Sequence, residues 1–266
     1  MPAIQLNRLK AQLDQLAWLY TRPAEFGRAL TDLLESCADP SYRPGQAIAA
    51  PILTPAYRVP TLVLRQIEIA LNSWIEQNPS AALPAAEALW QQTYLEPRLL
   101  ATFILGHTPL TPPEAVLNLL QTWLLEEAEP TLQAALLERG SLNLRRQMPE
   151  RWLALLNDWI NNPITQSLTL RAIPPLVNDP EFVNLPGIYS LLSQILPQSP
   201  PDLHNDLSTA LLSLFQRSAT ETTYFLRQIL SSHPTSNLQR LVRRLLPEIP
   251  PAAQNSLRPM LTSTNS

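Results

Sequence analysis

Glu96-Pro97-Arg98-Leu99-Leu100-Ala101 and Glu129-Pro130-Thr131-Leu132-Gln133-Ala134 decide the fold, because the same acidic-proline step opens an apolar pattern twice, 33 residues apart. Asn162-Pro163 follows after another 33 residues, Ser199-Pro200 after 37 and His233-Pro234 after 34. Seven places beyond each proline stands an apolar residue: Ile104, Leu137, Leu170, Leu207 and Leu241. Seven residues make about two helical turns, so each takes an equivalent core-facing place in its helix. Proline suits the first position of a helix, where the amide hydrogen it lacks has no partner anyway. Between these stretches lie Pro112 to Leu125, Pro149 to Ile160, Pro180 to Leu196 and Ala219 to Leu230, each with a helical period of its own. A helix–turn–helix unit recurring at 33 to 37 residues marks stacked repeats, since one pair cannot bury its apolar stripe alone.

Toward the N-terminus, Leu6, Leu9, Leu13, Leu16 and Leu19 mark an amphipathic helix, and a second runs from Pro23 to about Ala38. Asp39 to Pro60 holds five prolines and no sustained period, which reads as an arm on the surface. The expected organisation is a helix pair at 1–38, a Pro-rich connecting arm at 39–60, helical repeats at 61–262 and a frayed tail at 263–266. The Trp, Leu-Gly and Tyr positions of tetratricopeptide repeats do not recur at a fixed offset, and the Thr-Pro-Leu-His element of ankyrin repeats is absent. The two Glu-Pro openings resemble the start of the second helix in HEAT repeats. The fold class expected is therefore all-α, a HEAT-like α-solenoid of stacked antiparallel helix pairs.

A formal net charge of −3 runs against the basic balance of dedicated nucleic-acid binders, although Arg139, Arg145, Arg146 and Arg151, and Arg227, Arg240, Arg243, Arg244 and Arg258, form two local groups. Cys37 is the sole cysteine, which points to a reducing, cytoplasmic setting without disulfides. Leu99 to Gly106, the strongest apolar run, falls far short of the ~20 residues that span a bilayer, so no membrane association is expected. The five glycines are isolated and none precedes Lys-Ser or Lys-Thr, which excludes a phosphate-cradling loop. His107, His204 and His233 fall in different repeats, far from Cys37, so neither a metal nor another cofactor is expected. Glu126, Glu127, Glu129 and Glu138 read as a solvated helix end. The six tryptophans read as packing between repeats, any that faces a groove being a stacking platform.

Tyr57-Arg58-Val59-Pro60-Thr61-Leu62-Val63-Leu64-Arg65, followed by Ala88-Leu89-Trp90 and Glu96-Pro97-Arg98, resembles the AlkD-like DNA alkylation repair proteins over about Tyr57 to Leu246. That resemblance implies removal of alkylated purines from DNA, with Trp, Asp and Arg side chains in a groove of HEAT-like helices. The family's Trp-Trp-Asp stretch has no literal counterpart here; Trp123 and Glu127 keep a Trp-to-carboxylate step of one turn. Gln166-Ser167 stands where the family has Gln-Arg. Without that carboxylate and guanidinium a cationic transition state loses electrostatic support. The expected function is a non-catalytic scaffold that binds a macromolecular partner, a protein, on its concave face. The competing expectation is an AlkD-like alkylpurine DNA glycosylase or damage binder on duplex DNA, with Trp123, Glu127, Arg145 and Arg146 lining the groove.

Overall fold

The structure is a computed structural model that describes residues 6–39 and 54–261; most of the 39–60 arm, the 263–266 tail and the first five residues lie outside them. The fold is all-α, with no strand among the described residues. In chain order the helices are α1 (Leu6–Ala17), α2 (Pro23–Ser36), α3 (Thr61–Gln77), α4 (Ala82–Trp90), α5 (Leu95–His107), α6 (Pro113–Glu126) and α7 (Pro130–Ala135). A wide π-type turn, Leu136–Gly140, leads to α8 (Leu142–Gln147) and α9 (Pro149–Ile160). Then come α10 (Gln166–Val177), α11 (Leu185–Ser193), α12 (His204–Arg217), α13 (Ala219–Ser232), α14 (Ser236–Leu245) and α15 (Pro251–Leu257). The chain divides into two compact units, Met1–Leu144 and Arg145–Ser266, a division that falls inside the 61–262 stretch. No described helix is long and apolar enough to cross a membrane.

Within the first unit α2 lies on α4 and α5, α1 on α3, and α5 on α4 and the π-type turn. Within the second, α10 packs on α9 and α12, α12 on α13 and α14, and α13 on α15. Ile104, Leu137, Leu170, Leu207 and Leu241 are all buried.

The prolines themselves behave differently from the expectation. Only Pro130 holds the first position of its helix; Pro97 sits inside the first turn of α5, and Pro163, Pro200 and Pro234 precede theirs. At Pro163 and Pro234, local side-chain bonds delay the start. Asn162 Oδ1 accepts from the Ile164 amide (3.0 Å), and the Thr165 hydroxyl donates to the Trp159 carbonyl (2.7 Å), so a turn intervenes before α10. Thr235 Oγ1 accepts from the Leu238 amide and sets the start of α14 one residue after itself.

Hydrogen bonds between distant elements have their own spacing. Arg146 reaches Asp179, and Tyr189 reaches Thr222, each across 33 residues. Glu150 and Asn184 are 34 apart, Thr108 and Asn143 are 35, and Asn157 and Gln194 are 37. These separations fall within the 33 to 37 residues between successive proline steps.

Candidate functional site

Of the four residues expected to line a groove, Trp123 and Glu127 belong to the first unit, and Arg145 and Arg146 to the second. Trp123, on α6, is 3% exposed and stacks on Trp90 of α4, with centroids 4.3 Å apart and planes within 7°. The Arg98 guanidinium lies over the Trp90 ring, 4.3 Å from its centroid. The same guanidinium pairs with Glu127, whose other carboxylate oxygen accepts the Glu129 amide at 2.7 Å. Glu127 therefore closes α6 and binds Arg98, while Trp90 sits between Arg98 and Trp123. The arrangement is a filled stack, held by cation–π, ring–ring and ion-pair attraction, without an open aromatic face on Trp123 for a base. Its signal in the sequence was spacing, since Trp90 and Trp123 are 33 residues apart, as are Pro97 and Pro130.

The two Glu-Pro carboxylates are likewise occupied. Glu96 is 4% exposed and accepts three successive amides, from Tyr57 (3.0 Å), Arg58 (2.6 Å) and Val59 (3.3 Å). Arg58 takes φ of 60°, the left-handed region that turns consecutive N–H groups toward one anion. The Arg-Val-Pro stretch thus wraps a carboxylate at the start of α5. Leu95 completes the clasp by donating its amide to the Pro55 carbonyl at 2.8 Å. Glu129 repeats the device, accepting from Thr54 and from Thr131, both at 3.3 Å.

In the second unit, Arg145 is buried and its Nη1 donates to the Pro175 carbonyl at 2.6 Å. The Arg146 side chain is 49% exposed and its Nε donates to Asp179 Oδ2 at 2.9 Å. Both arginines line a small cleft of about 80 Å3 with Glu150, Asp179, Glu181 and Phe182. Three carboxylates against two guanidinia leave it without the positive excess that a phosphate requires. The hydrogen bond from Arg146 holds the Asp179 carboxyl below its ordinary range, helped by the Glu181 amide and the charges of Arg146 and Arg145 and opposed by burial. A carboxyl depressed in this way contributes stability above its unfolded value, which is lost as pH falls through the folded one. Asp179→Asn is expected to cost about 1 kcal/mol at neutral pH. In urea unfolding, the gap between wild type and variant should close as pH drops below the carboxylate range.

Trp74, Trp90, Trp152 and Trp159 are buried like Trp123, whereas Trp18 is 83% exposed. Among the described residues no group of three or more His, Cys, Asp and Glu side chains is placed to hold a metal ion. No family model, curated protein or solved structure matches the chain.

Proposed function

We propose that the chain is a non-catalytic scaffold of stacked HEAT-like helix pairs that binds a protein partner. The observation that carries this reading is where the polar side chains are engaged. Glu96, Glu127, Glu129, Arg98, Arg145 and Asp179 are bonded within the fold, many of them across about one repeat, rather than converging on an open site. A stack of this kind presents an extended face without a chemical centre. Large apolar side chains face outward at Trp18, Ile69, Ile164, Val183 and Tyr224, of which Trp18 and Tyr224 are of the types that anchor protein interfaces. Between α1 and α2 runs an open groove of about 270 Å3 whose walls include Leu16, Leu19, Ala29 and Leu33.

The competing DNA reading makes a different prediction, because affinity built on phosphate contacts is highest at low salt. The chain is expected neither to bind methylated or unmodified duplex at low salt nor to release free methylated base. A pull-down with the full chain from its native extract is expected to recover a specific protein. Release of methylated base would overturn the proposal, and so would a pull-down that recovers no specific partner.

A further inference from the structure

After Glu221 the chain carries five arginines, Arg227, Arg240, Arg243, Arg244 and Arg258, against a single acidic residue, Glu248. All five are exposed, on α13, on α14 and in the turn that follows α15. The ion pairs Arg22–Glu25, Arg98–Glu127, Arg139–Glu68 and Arg146–Asp179 involve none of them. Arg243 donates to Gln239 Oε1 (3.2 Å) and to the Leu261 carbonyl (2.8 Å), and Arg258 donates to Gln254 Oε1 (3.0 Å). Those bonds fix two guanidinia in place without neutralising them. Arg240 and Arg244 stand one turn apart on α14, whose Leu238, Leu241, Val242 and Leu245 are fully buried.

The rest of the chain sharpens the contrast. Residues 1–144 hold nine cationic side chains against fourteen carboxylates, whereas residues 145–266 hold ten against eight. Positive charge is therefore concentrated at the C-terminal helices of a chain that is acidic elsewhere. A planar guanidinium offers its donors as a fork that matches a carboxylate.

We propose that this patch docks an acidic segment of a protein partner, with Arg240 and Arg244 taking successive carboxylates. The proposal rests on the protein-binding reading above and specifies the partner's chemistry. A short segment engages the patch within a screening length of about 8 Å, while a duplex brings many more phosphates to a chain whose net charge is −3.

The test is a titration of the full chain with a short Asp/Glu-rich peptide, with a DNA duplex as the comparison. Wild type is expected to bind the peptide more tightly than the duplex, and Arg240→Glu/Arg244→Glu to weaken the peptide about tenfold or more. Arg240→Gln/Arg244→Gln should fall between them, and circular dichroism should show all three equally helical. Arg8→Glu/Arg28→Glu, which makes the same change of net charge on α1 and α2, should leave affinity unchanged. No peptide binding at low salt, equal loss from both charge reversals, or preference for the duplex would each overturn the proposal. So would salt-sensitive self-association abolished by the α14 reversal, which would make the occupant a second copy. A specific pull-down partner that binds the α14 variant as well as wild type would end this inference and leave the scaffold reading standing.

Discussion

Gly106→Ala is expected to destabilise the N-terminal unit by about 3 kcal/mol, seen as a lower urea midpoint. A methyl group on Gly106 would lie 1.8 Å from the Arg139 carbonyl oxygen and 2.8 Å from its carbon, in the π-type turn. Both are backbone atoms, so no rotamer change relieves the overlap; α5 and the turn must move apart. Better helix propensity returns only about 1 kcal/mol. Gly140 supplies the control, because a methyl there meets nothing closer than 3.4 Å, a Leu120 methyl. Gly140→Ala should change stability by less than about 1 kcal/mol.

Glu96→Ala is expected to cost about 3–5 kcal/mol, because it leaves three amides of the Tyr57–Val59 clasp without their acceptor. Glu96→Gln keeps one oxygen and should cost about half as much. Chemical denaturation of both variants, with hydrogen exchange at the 57–59 amides, checks the result. Fast exchange confined to those amides in Glu96→Ala is the expected pattern. Unchanged protection would show that the carboxylate does not hold the clasp.

The all-α class was legible from the recurrence of Glu-Pro and from the leucines two turns further on. Helix α9 was legible to the residue, and α6 and α13 to within two, because their apolar periods are continuous. The helix starts near Pro163 and Pro234 were not, since side-chain bonds of Asn162, Thr165 and Thr235 compete with the helical ladder over a few residues. Helix α11 begins at Leu185 rather than near Pro180 for the same kind of reason: Asn184 caps the Gly187 amide at 3.0 Å. At the candidate site the limit was different. The step from Trp123 to Glu127 correctly places both at one end of α6, yet the residue that binds Glu127 is Arg98, on the preceding helix α5. Periodicity within a helix does not reveal which partner lies across a packed layer. The Glu-Pro carboxylates were read as helix openings and, at Glu129, as solvated surface, whereas both are buried. An arm with three free amides needs an acceptor, and only the folded chain shows which carboxylate provides it.

The reach of these bonds also sets how the two units come apart. In the N-terminal unit, Thr54 reaches Glu129 across 75 residues and Arg139 reaches Glu68 across 71. Such ties join segments far apart in the chain, so neither segment can detach without releasing the other. The C-terminal unit's hydrogen bonds described above reach 37 residues at most. Bonds of that reach tie the last helices only to segments close by in the chain, so these helices can open locally. The N-terminal half should therefore unfold in one sharp transition and the C-terminal half in a broad, sequential one that begins at α14 and α15.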